Sequence, residues 1–337
     1  MFRRVRIVFI LVFSISASLS AQNMPVHEQY MFDWMLVNPA FAGISEVTSV
    51  KMVHRDQWVG IDDAPRTSFL MFKHRLKGRA GGVGGYIYSD QNGPNSYNGF
   101  QFSWSWQALL RAKRYNRLIL SFGMSFRGLL HTLDESRFDR DMYDPLIDYS
   151  RKVTFVPNAN AGVMISYRQH FIGASFENLI PWSDRMYNIQ AEPINYVIMN
   201  IHTGHILQLK KDRYQFRPSL LVKTNFHGLT QMDINFKFHI MSGKEIRSVY
   251  LRYPNEIWIG ASYNQTLDWN HSAPLSLSPA VGFSIHAFSF MYLYDIGLTS
   301  LQSYHYGSHQ ISIGIRFFRD KYRNWSKHNV PSFNDDF

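Results

Sequence analysis

The chain contains no cysteine, which removes disulfide frameworks and thiolate metal sites from consideration. Past its first two dozen residues it has no apolar run near the roughly 20 residues that a membrane-crossing helix requires. Internal repeats, low-complexity tracts and linkers are also missing, so a single domain is expected. The 35 Lys and Arg residues are scattered and build no basic helix or long tract, which argues against nucleic acid as a partner. Fourteen histidines form no short helical ligand pair and none neighbours a nucleophile in a known motif, so no cofactor, metal or catalytic site is assigned. His205 and His239 fall on strands and are read as interior polar side chains. Asp134, Glu135, Asp139, Asp141 and Asp144 cluster, but their spacing matches no calcium loop and Arg137 and Arg140 interleave with them. This stretch is read as a charge-balanced loop with no acid–base role.

The chain is instead rich in aromatic residues, 16% of the total, at a mean hydropathy of only −0.22. Its N-terminus has the form of a secretory signal. Arg3, Arg4 and Arg6 precede an apolar core from Ile7 to Ile15 and then small residues, which places cleavage after Ala21, or one residue earlier after Ser20. Removing residues 1–21 takes away three arginines and no acid, lowering the formal charge from +10 to +7.

Beyond that point, apolar and polar residues alternate with period two over stretches of about ten residues, as in membrane-spanning β-strands. Phe100, Phe102, Trp104, Trp106 and Ala108 alternate with Gln101, Ser103, Ser105 and Gln107; Met232, Ile234, Phe236, Phe238 and Ile240 alternate with Asp233, Asn235, Lys237 and His239. The same pattern fills 118–126, 257–263 and 310–317, where Ser and Gly dominate the polar side and leave interior space for a plug, a channel or an inserted peptide. A soluble sandwich would show similar rows on any single strand. The whole count, near 47–55, 66–75, 81–89, 97–110, 117–130, 154–168, 170–178, 196–209, 215–226, 229–240, 256–264, 274–285, 287–296 and 308–318, is fourteen. The even number suits a single-chain bacterial barrel. The fold class expected is therefore all-β: one transmembrane antiparallel β-barrel of about 14 strands. It comprises a signal peptide (1–21), a lead-in (22–46), the barrel (47–318) and a tail (319–337). The irregular stretches 131–153 and 179–195 are the candidate extracellular loops.

Three groups of residues are more specific than generic strand patterning. The first is Gln29-Tyr30-Met31-Phe32, then Asn38-Pro39-Ala40-Phe41-Ala42-Gly43, then Arg55-Asp56-Gln57-Trp58-Val59-Gly60 leading to Ala64-Pro65. The second is Phe171-Ile172-Gly173-Ala174-Ser175-Phe176-Glu177-Asn178-Leu179. The third is Tyr292-Leu293-Tyr294-Asp295 followed by Gly307-Ser308-His309-Gln310-Ile311-Ser312. Together they resemble the PorP/SprF family of the type IX secretion system of Bacteroidetes, across nearly the whole mature chain. Asp63 departs from the pattern, standing where many members of that family have Gly.

The resemblance implies a non-enzymatic outer-membrane component of type IX secretion and gliding machinery. Its implied partners are a secreted cargo protein held by its C-terminal domain, periplasmic lipoprotein or ring subunits of the machine, and outer-membrane lipid. The candidate partner-binding or lumen residues are Asn38, Pro39, Gly43, Arg55, Gln57, Trp58, Gly60, Pro65, Tyr294, Asp295 and His309. Elementary chemistry leaves two readings open for them. Pro39 and Gly43 can turn the chain into the barrel and Trp58 can sit in an interfacial aromatic belt, a plug-and-latch role; or the set can bind a partner. A diffusion channel or substrate-specific porin is the rival function, since a small, polar interior face suits a pore as well as a docking cavity.

Overall fold

The fold was analysed in a computed structural model, which describes residues 28–31, 33–45, 47–76, 81–113, 116–138, 148–181, 196–209, 213–226, 228–241, 255–267 and 272–319. The signal peptide, Phe32, residues 139–147 and 182–195 of the two expected loops, and the tail beyond Arg319 lie outside these.

Alternation of side chains translates directly into strands: β1 (Val47–Asp56), β2 (Arg66–Arg75), β3 (Gly81–Asn92), β4 (Asn95–Lys113), β5 (Asn116–Asp134), β6 (Arg151–Tyr167), β7 (His170–Glu177), β8 (Ile198–His205), β9 (Leu207–Leu209), β10 (Tyr214–Thr224), β11 (Thr230–Met241), β12 (Glu256–Thr266), β13 (Pro274–Ile285), β14 (Phe288–Gly297) and β15 (Ser308–Arg319). β9 continues β8 past Ile206, and both pair with β10. The segments therefore make fourteen spanning strands, each antiparallel to its neighbours. β15 closes the sheet on β1 in a register running from Val47 opposite Arg319 to Asp56 opposite His309. Closure removes the unpaired edges that backbone groups in hydrocarbon could not tolerate.

The fourteen strands fall where the alternation puts them, with differences at the ends. β4 and β5 are longer than expected, 19 residues each, because their pairing continues past the amphipathic rows into polar residues such as Asn95 opposite Leu133. The first candidate loop shrinks accordingly to 135–150. Both chain ends of the barrel lie on one rim, and every connection there except 242–255 has five residues or fewer; we call this the short-turn end. The opposite, long-loop end carries 57–65, 135–150, 178–197 and 298–307.

The two faces of the wall differ as the alternation requires. Phe100, Phe102, Trp104 and Trp106 are each about half exposed on the outside, while Gln101, Ser103, Ser105 and Gln107 are buried to 3% or less inside. Burial that complete in a fourteen-stranded barrel needs something in the lumen. The lead-in supplies it: the 3-10 turns Glu28–Met31, Trp34–Leu36 and Pro39–Gly43 fold inside the wall, where Met35, Ala40 and Phe41 are fully buried. Their apolar side chains meet Val53, Phe69, Met71, Phe171, Leu221 and Met291 in one cluster, so the hydrophobic core of this protein lies in its lumen.

Close packing of plug on wall depends on small residues. A Cβ on Gly123 would overlap the Ala40 nitrogen, one on Gly162 the Asn38 amide, one on Gly84 the Met35 sulfur, and Gly43 and Gly82 touch backbone to backbone. Gly123→Ala is therefore expected to destabilise the barrel by about 1–3 kcal/mol, the usual cost of overpacking, and to open residues 28–45 to protease. Thermal unfolding and limited proteolysis of the detergent-solubilised barrel check this. An unchanged midpoint with a protected lead-in would refute the plug contact.

Candidate functional site

The plug is fixed by charge as well as by shape. Asp33 caps the Trp34–Leu36 turn, accepting from the Met35 N–H at 3.0 Å. Its other oxygen receives Lys73 Nζ at 2.6 Å and Lys51 Nζ at 3.2 Å, all three side chains being buried to 2% or less. Lys51 and Lys73 come from the lumen rows of adjacent strands, with Ser49 opposite Lys73 and Lys51 opposite Met71, so their ammoniums converge on one point. None of the three was singled out from sequence. The available signal was the acid inside the apolar run Tyr30–Met35, together with two lysines at lumen register in β1 and β2.

Asn38 and Pro39 work at the next level up. Asn38 is the cap of the Pro39–Gly43 turn: its Oδ1 accepts from Ala40 N at 2.8 Å, and Pro39 occupies the first position of the turn, where a missing N–H costs nothing. The amide nitrogen of the same side chain donates to Val163 O at 3.2 Å and lies 3.2 Å from His202 Nε2. One residue thus shapes the plug and ties it to β6 and β8. Around it, Trp34 packs against Phe171, Phe41 and His202, and Ser175 Oγ donates to Val37 O at 2.7 Å. Gly43, at the end of the turn, lies against Gly82.

The remaining candidates gather at the long-loop end. Arg55 and Asp295, 240 residues apart in sequence, form a buried ion pair at 2.9 Å, and Asp295 also accepts from Ser278 Oγ at 2.7 Å. Gln57 is half-buried just past β1 and its N–H donates to Pro65 O at 2.9 Å, closing the 57–65 loop. That loop exchanges backbone bonds with 298–307: Val59 N donates to Gly307 O at 2.9 Å and Tyr306 N to Val59 O at 2.8 Å. Trp58 has a positive φ of 46° and lies against His305, with its indole partly exposed. Gly60 has φ 103°, and any side chain there would press on the Tyr306 ring. Tyr294 Oη donates to Tyr306 O at 2.9 Å, and His309 Nδ1 lies 2.7 Å from Tyr292 Oη. Asp63 also has a positive φ, 55°, the left-handed region that favours glycine. Its carboxylate offsets that cost by accepting from Arg137 Nη2 at 2.7 Å.

The structure therefore divides the eleven candidates into two groups. Asn38, Pro39 and Gly43 belong to the plug, and the other eight to a rim where β1, β2, β14 and β15 meet. The carboxylates of the acidic loop that are described are held in place. Glu135 pairs with Lys152 at 2.7 Å, Asp134 accepts from Ser136 at 2.5 Å, and hydrogen bonds from the Ser150 hydroxyl and N–H pull the exposed Asp148 carboxyl down to about 2. A carboxylate at that value is a poor proton shuttle near neutral pH.

These features define a class: an outer-membrane-type β-barrel whose lumen is filled by its own N-terminal segment. Residues 19–315 match the family described as type IX secretion system membrane protein PorP/SprF, and the chain belongs to that family. None of the curated proteins matches the chain. Among solved structures it is similar to a bacterial polysaccharide outer membrane secretin at 10% identity and TM-score 0.39, covering 81% of this chain and 99% of that one. It is also similar to CdiB from Acinetobacter baumannii at 9% identity and TM-score 0.41, covering 81% and 60%. A third likeness is to BamA from Haemophilus ducreyi lacking POTRA domains 1-3, at 8% identity and TM-score 0.37, covering 80% and 70%. These likenesses go no further than barrel architecture.

Removing one member of a buried ion pair costs about 3–5 kcal/mol, because the partner charge is left unpaired. Asp33→Asn removes the carboxylate that two buried lysines share and is expected to lower stability by that order; adding Lys51→Met and Lys73→Met to it should restore much of the loss. Urea unfolding of the two variants checks this, and an Asp33→Asn barrel as stable as the parent would show that the triad does not hold the plug.

Proposed function

We propose that this protein is a non-enzymatic docking barrel of the outer membrane, which holds secreted cargo through the cargo's C-terminal domain and engages periplasmic subunits of the type IX secretion and gliding machinery. The observation that carries this reading is the lumen. A diffusion channel needs a continuous water path, whereas here the lumen rows of β4, β8, β11 and β15 are buried to 4% or less at Gln101, Ser103, Asn200, His202, Asp233, His239, Gln310 and Ser312, with Asp33 and Asn38 of the plug bonded to the wall. A barrel filled by its own chain offers rims and loops to a partner rather than a passage to a solute.

Barrels of the outer membrane place short turns in the periplasm and longer loops outside. On that orientation the plug enters from the periplasmic side, and the rim built by 57–65 and 298–307 faces outward. This rim is fixed by the Arg55–Asp295 pair and by backbone bonds between its loops. A preorganised surface binds a partner without first losing conformational entropy, which favours this rim as the cargo-facing surface.

Two measurements decide between docking and diffusion. Purification of the barrel from native outer membrane in mild detergent is expected to recover a large surface protein or periplasmic lipoproteins by mass spectrometry. In a planar bilayer the same barrel is expected to show no steady conductance, and Asp33→Asn to show intermittent openings. A lone barrel that conducts steadily would overturn the proposal in favour of a porin.

A further inference from the structure

We infer that the short-turn end of the barrel is a collar for anionic phospholipid, its arginines and lysines meeting the phosphate groups of the leaflet around it. The observation that carries this is where the strand order puts the charge. Cations that are scattered along the chain are gathered to one end of the barrel. By sequence, the short-turn connections 76–80, 114–115, 168–169, 210–213, 242–255 and 286–287 hold ten Lys and Arg against two acids, Asp212 and Glu245. The long-loop connections 57–65, 93–94, 135–150, 178–197, 225–229, 267–273 and 298–307 hold three Lys and Arg against ten acids. The collar needs only that the barrel spans a membrane, whatever its other rim holds.

The arc formed by β6, β7, β8 and β10 shows which way this charge faces. Arg168 and Arg213 are exposed, and each guanidinium lies over a neighbouring tyrosine ring, 5.4 Å from the centroid of Tyr167 and 5.6 Å from that of Tyr214. Both tyrosines belong to outward rows. Tyr167 follows the exposed Phe155 and Ile165 along β6, and Tyr214 precedes Phe216, which stacks on the exposed Phe236. Between them, Tyr167 stands opposite His170 and His170 opposite His205, the two imidazoles stacked 3.7 Å apart. Further along the same rows Ile165, Ile172 and Ile201 are exposed. An outward surface that passes from isoleucine to tyrosine and histidine and then to arginine marks the edge of the hydrocarbon. Tyrosine favours that level, and an arginine stem can lie along apolar surface while its planar fork reaches a phosphate.

A protein docked on this rim would call for charge in one sector or across the lumen mouth. The cations instead recur at five connections spread round the barrel, and Arg168 and Arg213 lie against the outside of the wall. That distribution fits a partner that surrounds the barrel, which a lipid leaflet does. With short turns in the periplasm, the collar meets the periplasmic leaflet, and the acidic long-loop end would repel the same headgroups.

The test places the full chain in mixed micelles holding equal amounts of phosphatidylcholine and phosphatidylglycerol and identifies the retained lipid by native mass spectrometry. Preferential retention of phosphatidylglycerol is expected, falling as salt rises. Arg168→Gln is expected to weaken that retention about fivefold, the scale of one cation near an anionic surface, and adding Arg213→Gln to weaken it further. Arg168→Lys with Arg213→Lys should keep most of the preference, and Arg151→Gln, an exposed arginine at the long-loop end, should leave it unchanged. Equal retention of the two lipids, undiminished preference in the double Gln variant, or loss of preference in the double Lys variant overturns the inference. Displacement of the lipid by an equal concentration of inorganic phosphate would make this a free-phosphate site and overturn it as well. If the double Gln variant keeps its lipid but no longer recovers an acidic periplasmic protein from native membrane, the collar serves a protein partner and the lipid assignment falls.

Discussion

Asp33 is a carboxylate inside a lumen that water scarcely reaches, and it is stable there only because two ammoniums from the wall meet it. Desolvating three charged groups is expensive, so such a cluster adds little net stability over a well-packed apolar one. What it contributes is position. An apolar plug in a partly apolar lumen could slide or rotate with little penalty, whereas displacing Asp33 from Lys51 and Lys73 breaks two buried ion pairs at once. The ion triad sets the height and rotation of the lead-in, and the packing of Met35, Ala40 and Phe41 follows from it.

The polarity of the lumen has a second origin in how such a chain reaches the membrane. A segment apolar on both faces would resemble a spanning helix and risk being retained on the way out. Alternation with Ser, Gly, Asn and Lys keeps the mean hydropathy near −0.22. A polar lumen in turn demands a plug with polar handles, which is why Asp33 and Asn38 sit among Tyr30, Met35, Ala40 and Phe41. The small residues serve both purposes. Gly123 and Gly162 lower the hydropathy of their strands and let the Pro39-Ala40 backbone and the Asn38 side chain lie directly against the wall.

Strand positions were legible because each strand faces lipid on one side: Phe100, Phe102, Trp104 and Trp106 had no other place to go. The presence of space inside was legible too, from Ser and Gly on the polar rows. Which occupant filled that space was not, because a plug, a water column and a guest peptide all require the same small residues. The pairing of Arg55 with Asp295 was hidden for a different reason. Each lay in a visible motif, but their contact depends on β15 and β1 closing the barrel and on β14 lying next to β15, a relation carried by strand order over 240 residues. Lys51 and Lys73 were not singled out at all, since nothing in a strand pattern reveals a carboxylate arriving from a segment outside the strands. Asp63 was visible as a departure from the family's glycine, and only its positive φ and the Arg137 contact explain how the departure is tolerated.

β1 links the two levels of the site. Its lumen-facing row carries Lys51, which holds the plug, and Arg55, which holds Asp295, four residues apart and so about 13 Å along the strand. The same strand closes the barrel through its pairing with β15. A partner that drew the lead-in out of the lumen would take the Asp33 carboxylate away from Lys51 and Lys73 in β1 and β2, next to the closing seam and in line with the Arg55–Asp295 pair. The cost would then fall on the strands that also support the 57–65 and 298–307 rim. Occupancy of the lumen and the shape of the long-loop rim are therefore not independent properties of this barrel. Any binding event that spares the plug can use the rim as a rigid surface, and any event that removes it must replace the carboxylate that Asp33 provides.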